Sequence, residues 1–138
     1  MADKITFELV SPERLLLSEP VEMVVIPGTE GNFGVLPGHA PFASTVRADL
    51  IEIYQDNRVT RRIFVAGGFA EVSPDRVTVL ADEAVLVEEI ERGAVEARIK
   101  ALEDDVRDGA DEVARAAAQA KLFVEQAKLA AVIRASGA

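Results

Sequence analysis

Any acid–base or nucleophilic chemistry in this chain would have to depend on His39, because the 138 residues include one histidine and no cysteine. A transfer site needs a nucleophile, a base and an orienting group, so a Ser-His-Asp site would have to form around this residue. His39 lies in the run Pro37-Gly38-His39-Ala40-Pro41, which is typical of a turn. A histidine in such a run more often makes structural hydrogen bonds, so we expect no catalytic residue.

Metal, cofactor and nucleotide sites are not indicated either. Without cysteine, only carboxylate sites remain for a metal, and no calcium-loop alternation of Asp and Asn occurs. No Gly-x-x-x-x-Gly-Lys-Ser/Thr run is present, which excludes a phosphate loop of that class. Gly67-Gly68 lies between two strand patterns, which predicts a structural turn with positive φ. The acid pairs Glu88-Glu89 and Asp104-Asp105 are interpreted as solvated faces or helix caps.

Charge and hydropathy exclude further classes. A net charge of −9 argues against a nucleic acid partner, which would require clustered Lys and Arg. No uncharged apolar run approaches the roughly 20 residues of a membrane-spanning helix. The start Met1-Ala2-Asp3-Lys4-Ile5 fits neither a signal peptide nor a transit peptide. We therefore expect a soluble chain that functions without removal of a targeting segment.

The pattern of the chain changes near residue 85. All six prolines lie within the first 74 residues, and alanine becomes frequent after residue 85. Short runs with apolar residues at every second position predict an antiparallel β-sandwich over residues 1–85, whereas a parallel sheet would need crossover helices for which there is no room. The predicted inward faces are Ile5, Phe7 and Leu9; Ile51 and Ile53; Ile63 and Val65; Val77 and Val79.

Residues 86–138 predict a two-helix hairpin, which gives an α+β fold class. Val95, Ile99, Leu102 and Val106 form one helical stripe, and Gly109 is predicted to end that helix in a left-handed conformation. The second predicted stripe is Val113, Ala117, Ala120, Val124, Ala127 and Ala131.

Charge divides this hairpin. Residues 88–112 contain ten acids and four bases, whereas residues 113–138 contain one acid and four bases. Opposite charges could hold the hairpin closed, or the basic second helix could bind an acidic partner, and the two interpretations are compatible.

Two stretches carry a specific signal. Residues 30–41 read EGNFGVLPGHAP, and residues 66–72 read AGGFAEV, followed by VTVLAD at residues 77–82. They resemble the epsilon subunit of bacterial F-type ATP synthases, which corresponds to the mitochondrial delta subunit. That family shows Glu-Gly-x-x-Gly-x-x-Pro-Gly-His-Ala-Pro, then Gly-Gly-x-x-Glu-Val, then Val-Thr-Val-Leu-Ala. With the sandwich and hairpin, the resemblance covers essentially the whole chain.

The resemblance implies a non-catalytic rotor subunit that couples proton translocation to ATP synthesis. It implies that the sandwich lies at the foot of the central stalk, against the gamma subunit and the ring of c subunits, on the cytoplasmic side of a bacterial inner membrane and peripheral to it. Asn32 stands where some relatives carry an acid. The resemblance implies that one loop, from Glu30 to His39, faces the polar loops of the ring; its residues are Glu30, Gly31, Asn32, Gly34, Pro37, Gly38 and His39.

The same resemblance makes the hairpin a regulatory element, either folded or extended, that can block ATP hydrolysis. Some relatives bind ATP at the start of the first helix through Ile/Leu-Asp-x-x-Arg-Ala, but residues 90–95 read IERGAV, which lacks the Asp and the spaced Arg. Contact with the catalytic beta subunit is implied for Arg115, Lys121, Lys128 and Arg134. Two alternatives stay open at this point: a soluble ligand- or nucleotide-binding module whose hairpin closes on a small molecule, and an enzyme that uses His39.

Overall fold

A computed structural model describes residues 3–137 of the chain. The described chain divides into two compact units, one that ends at Leu86 and one that begins at Val87. The outer ends of the two predicted domains, at Met1-Ala2 and Ala138, lie outside the described residues, as does the start of the segment considered for a signal peptide. No helix among residues 3–137 is both long and apolar enough to cross a membrane.

The first unit is built of short strands. Its ten described strands are β1 (Ile5–Val10), β2 (Leu15–Val21), β3 (Met23–Gly28), β4 (Gly31–Val35), β5 (Phe42–Val46), β6 (Asp49–Gln55), β7 (Arg58–Val65), β8 (Gly68–Val72), β9 (Arg76–Ala81) and β10 (Ala84–Leu86). They pair in the order β10-β7-β6-β3-β5-β8-β9-β1-β2, and β4 pairs with β3. The fold class predicted from the sequence is confirmed.

One strand pair differs from the antiparallel prediction. Strands β1 and β9 run parallel, with Phe7 opposite Val77 and Leu9 opposite Val79. A parallel pair needs a long connection, which is usually a helix. Here the connection is the whole stretch of chain from β2 to β8, which lies between β1 and β9 in sequence. The exclusion of parallel pairing was therefore wrong for this pair.

The core of this unit consists of alternate residues from the strands. Ile5, Phe7 and Leu9 are buried along β1, and the other three predicted inward faces are buried as well, which confirms those assignments. Each such side chain contributes about 1.5–3 kcal/mol when it leaves water. Asp56 and Asn57 both adopt positive φ in the two-residue turn between β6 and β7, as a tight hairpin turn requires.

The second unit contains a 3₁₀ turn at Val87–Glu89, helix α1 (Arg92–Asp108) and helix α2 (Glu112–Ala135). On α1, Val95 is buried, and the other three residues of the predicted stripe are half-buried, whereas most of the rest of the helix is exposed; that stripe is confirmed. Helix α2 begins after Asp111, whose carboxylate accepts a hydrogen bond of 2.8 Å from the Ala114 N–H.

The first half of the stripe predicted for α2 was wrong, whereas Val124 and Ala127 are half-buried and Ala131 is buried. Val113 is 80% exposed, and Ala117 and Ala120 are exposed too. Alanines lie on several sides of this helix, so periodicity could not select one face, and two charged residues occupy positions of the buried face. The buried residues are Ala118, Leu122, Glu125, Lys128 and Ala131.

The role predicted for Gly109 was also wrong. Its φ is −57° and its ψ is 144°, which is not left-handed. A Cβ at this position would lie 2.7 Å from Cγ of Arg115 and 2.9 Å from the carbonyl oxygen of Asp105. The turn between the helices therefore requires glycine for close approach of the chain, and not for its freedom in φ.

Candidate functional site

The segment predicted to face a ring of subunits is not a single loop. Gly31, Asn32 and Gly34 lie in strand β4, which pairs with β3 so that Gly28 faces Gly31 and Pro27 faces Asn32. Thr29 and Glu30 form the exposed turn between these strands. We call residues 23–35 the β3–β4 hairpin and residues 29–31 its tip. Pro37, Gly38 and His39 belong to a second turn after β4, so the description of residues 30–39 as one loop is corrected.

Hydrogen bonds attach the tip of this hairpin to strand β5. The Thr29 N–H donates to the Thr45 carbonyl oxygen at 3.1 Å, and the two threonine hydroxyl oxygens are 2.7 Å apart. The Arg47 N–H donates to the Pro27 carbonyl oxygen at 2.8 Å. A Cβ at Gly28 would lie 2.8 Å from the Gly31 carbonyl oxygen, so this turn is too tight for a side chain there.

The side chain of Arg47, which follows β5, adds charge-assisted hydrogen bonds to these attachments. Its Nη1 donates to the Gly28 carbonyl oxygen at 2.6 Å, and its Nη2 donates to Asn32 Oδ1 at 2.6 Å. The same Nη2 lies 3.1 Å from Asp49 Oδ2. Sequence reasoning missed Arg47, because it lies outside both motifs and no local pattern relates it to residues 28 and 32.

The second turn, around His39, is held by backbone contacts. The Gly38 N–H donates to the Pro74 carbonyl oxygen at 2.7 Å, and the His39 N–H donates to the Leu36 carbonyl oxygen at 3.1 Å. Nδ1 of His39 lies 2.6 Å from the Ala40 carbonyl oxygen, so Nδ1 carries the proton and donates. Gly38 has a φ of +83°, which favours glycine. These contacts fit a structural histidine in a fixed turn.

Gly67 precedes strand β8 and Gly68 is its first residue, with φ of +123° and +149°. The Gly67 carbonyl oxygen accepts a hydrogen bond of 3.1 Å from the Asp82 N–H. A Cβ at Gly68 would collide with the carbonyl oxygen of Leu80 on the neighbouring strand. The chain can turn into β8 at this place only without a side chain.

An apolar row crosses the outer side of four strands. Phe69 on β8 faces Leu80 on β9, Leu80 faces Val10 on β1, and Val10 faces Leu15 on β2. Phe69, Leu80 and Leu15 are 37%, 49% and 54% exposed, and the side chains next to them along the strands alternate into the core. Val10 and Leu80 also line a shallow cavity of about 220 Å³. We call Phe69, Leu80, Val10 and Leu15 the outer apolar row. Sequence reasoning missed it, although the period-two pattern places these residues opposite the core.

The four basic residues predicted to contact a partner do not share one surface. Lys121 and Arg134 are exposed, and Arg115 is half-buried and donates to the Gly109 carbonyl oxygen at 2.9 Å. Lys128 is only 6% exposed, so in this conformation it is not accessible as a surface contact.

Lys128 belongs to a buried ionic cluster inside the helical unit. Its Nζ lies 3.1 Å from Oε2 of Glu125, and Arg98 Nε on α1 donates to Oε1 of Glu125 at 2.8 Å. Burial raises the pKa of Glu125, but the hydrogen bonds from Arg98 and Lys128 lower it by more than burial raises it, so the pKa of Glu125 is below the ordinary value. Among residues 3–137, no group of three or more His, Cys, Asp and Glu side chains is placed to hold a metal ion.

Residues 4–87 match the family described as "ATP synthase, Delta/Epsilon chain, beta-sandwich domain". The ATP synthase epsilon chain of Rhodospirillum rubrum is 58% identical over 126 residues, which cover 91% of this chain and 94% of that protein. The epsilon chain of Rhodospirillum centenum is 54% identical over 134 residues, with 94% and 92% covered. A chain in the cryo-EM structure of the Euglena gracilis mitochondrial ATP synthase (OSCP/F1/c-ring, rotational state 1) is 26% identical, with a TM-score of 0.78 over 94% of this chain and 81% of its own length.

Proposed function

This chain belongs to the ATP synthase delta/epsilon chain family, and from that premise we propose how its two units divide the work of a rotor subunit. It is a non-catalytic, accessory subunit of the central stalk of an F-type ATP synthase, where proton translocation is coupled to ATP synthesis. Its partners are the gamma subunit and the c-ring. The observation that carries this function is 58% identity to an epsilon chain over 91% of the sequence.

The outer apolar row is our proposal for the gamma-binding surface. A run of half-exposed Phe and Leu side chains on one sheet face is typical of a protein interface, whereas single exposed apolar residues are not. The cavity beside Leu80 could receive one anchoring side chain of the partner, which is how binding energy concentrates in protein interfaces.

The tip of the β3–β4 hairpin and the His39 turn form our proposal for the c-ring-facing surface. Glu30, Gly31 and Asn32 are exposed there, and the tip is held by backbone and side-chain hydrogen bonds. An exposed polar tip on a rigid base suits contact with polar loops of a ring that transmits torque. Gly67 and Gly68 support the same unit from the start of β8.

The helical unit is proposed to regulate ATP hydrolysis. Lys121, Arg134 and Arg115 would meet an acidic segment of the catalytic beta subunit. Lys128 could join them only after the hairpin has opened, because it is now buried against Glu125. We place the subunit on the cytoplasmic side of a bacterial inner membrane, held there through its partners.

A tagged full-length chain tests the sandwich assignment. From membranes it should co-purify gamma and the catalytic complex, and Leu80→Glu should lower the recovered gamma by about tenfold or more, since a charge replaces a central apolar contact. Val113→Glu is the matched control, because Val113 is also an exposed apolar residue but lies on α2. Recovery of neither partner by the wild-type chain would refute the function, and equal recovery with Leu80→Glu would refute the surface.

Truncation after Leu86 tests the division of labour. Retained ATP synthesis with altered ATP hydrolysis in membranes would support assembly by the sandwich and regulation by the hairpin. Loss of both activities together would contradict it.

A further inference from the structure

Arg47 holds both strands of the β3–β4 hairpin close to the tip. Its guanidinium donates to the Gly28 carbonyl oxygen, at the end of β3, and to the Asn32 side chain, near the start of β4, with both distances at 2.6 Å. Glu30 lies between these two attachment points in sequence. The Arg47 side chain therefore links the two strands on either side of the tip and helps to fix its position.

Near its tip the hairpin has little other lateral support. Among the described strands, β4 pairs with β3 alone and lies off the main order of the sheet. Strand β3 pairs with β6 from Met23 to Val25, at the end away from the tip, and with β5 at one residue pair, Gly28 with Val46. A sideways force on the tip would therefore be resisted by the backbone and hydroxyl contacts of Thr29 with Thr45 on β5 and by Arg47.

The chemistry of the contact requires arginine. Three acceptors from separate segments converge on the guanidinium: the Gly28 carbonyl, Asn32 Oδ1 and Asp49 Oδ2. A planar fork with several fixed donors can serve all three, whereas the single ammonium of lysine cannot reproduce the geometry. Asp49 is itself fixed, since its Oδ1 accepts a hydrogen bond of 2.8 Å from the Leu50 N–H.

We propose that Arg47 is a positioning residue for the c-ring contact: it fixes the tip of the β3–β4 hairpin so that rotation of the ring is transmitted without slip. This inference rests on the proposed ring-facing role of the tip. It assigns to Asn32 a contact inside the subunit, with Arg47.

The local effect is measured by amide hydrogen exchange on the isolated full-length chain. Arg47→Met should raise exchange of the Thr29 amide, which donates to the Thr45 carbonyl oxygen, by about tenfold, as expected when hydrogen bonds to a charged group that holds the tip are lost. Arg47→Lys should give an intermediate increase. Thr45→Val removes only the hydroxyl contact with Thr29 and should act in the same direction, so it keeps the test informative even where Arg47→Met folds poorly.

The functional effect is measured in membranes that contain the whole complex. Arg47→Met should lower the ratio of ATP-driven proton pumping to ATP hydrolysis, while the amount of subunit bound stays unchanged. Arg62→Met is the matched control, because Arg62 has the same exposure (38% against 37%) and an ion pair with Glu52 between β6 and β7. That control should leave both the ratio and tip exchange unchanged.

The variant Glu30→Lys changes the tip itself, and the same pumping ratio is measured for it. This measurement distinguishes an error in the role of Arg47 from an error in the proposed ring-facing role of the tip. If Glu30→Lys lowers the pumping ratio and Arg47→Met does not, the role of Arg47 is refuted and the ring-facing tip stands. If neither variant changes the ratio, the ring-facing assignment falls, and the inference falls with it. Unchanged tip exchange in Arg47→Met would also overturn the inference.

Discussion

Glu125→Ala should destabilise the helical unit by about 3 kcal/mol. Glu125 is the only acid among residues 113–138, and it is nearly buried on α2. It accepts from buried Lys128, a hydrogen bond to a charged group worth about 1.5–3 kcal/mol, and from half-exposed Arg98, which solvent screening reduces to below about 1 kcal/mol. Glu125→Gln keeps an acceptor of the same size and should cost about 1–2 kcal/mol.

The two units need not unfold together, so the assay has to report on the helices themselves. Amide hydrogen exchange at Ala118 and Leu122, on the buried face of α2, gives the local opening free energy. Glu96→Ala is the control, because its pair with Arg92 is long at 3.6 Å and half-exposed, and should cost less than about 0.5 kcal/mol. A cost for Glu125→Ala equal to that control would refute the reasoning.

The pH dependence supplies a second test of the same cluster. The pKa of Glu125 is lower in the folded chain than the unfolded value of about 4.3, so its stabilisation is present above that pH and is lost as pH falls through the folded pKa. The difference in opening free energy between wild type and Glu125→Gln should therefore be constant near neutral pH and shrink in acid. A difference that persists unchanged to about pH 3 would contradict a lowered pKa.

Four further substitutions test the fold. Gly68→Ala should lower the free energy of unfolding by about 3 kcal/mol or more, since a Cβ would strike the Leu80 carbonyl and φ is +149°. Gly93→Ala, in open space on α1, should raise it by about 0.5 kcal/mol. The melting temperatures of the two variants test both expectations. Asp111→Ala should lower the local opening free energy of the first turn of α2, measured by amide hydrogen exchange, by about 1 kcal/mol. Exchange equal to that of the wild type would show that the cap does not stabilise the helix. Phe7→Ala should cost about 3–5 kcal/mol in urea unfolding, because Phe7 is fully buried, and a loss below about 1 kcal/mol would argue against its place in the core.

The strands could be predicted from the sequence because their signal is local. Ile5, Phe7 and Leu9 alternate with polar neighbours, and alternation alone identifies which side is buried. The pairing of β1 with β9 could not be predicted, since Phe7 and Val77 lie far apart in sequence and nothing local connects them. The same reason hid Arg47 from the predicted site: its contacts at Gly28 and Asn32 arise from folding of the sheet.

The helices show a different limit. On α1 the stripe is clear, because polar residues surround Val95 and Ile99. On α2, alanine is compatible with either a buried or an exposed position, so the helix has apolar residues on more than one side. The predicted stripe also left out Glu125 and Lys128, although each is buried with a charged partner.

The presence of two apolar sides on α2 bears on how a regulatory hairpin could open. Leu122 is buried in the described conformation, whereas Phe123, its neighbour, is 64% exposed. Removing Leu122 from its site costs about 1.5–3 kcal/mol, and burying Phe123 on a partner contributes a similar amount. These two apolar terms nearly cancel, so the equilibrium of the proposed regulatory hairpin would depend on the other contacts of the buried face. The link from Arg98 on α1 to Glu125 and Lys128 on α2 is a polar contact among them, and its strength would contribute to how readily the two helices separate.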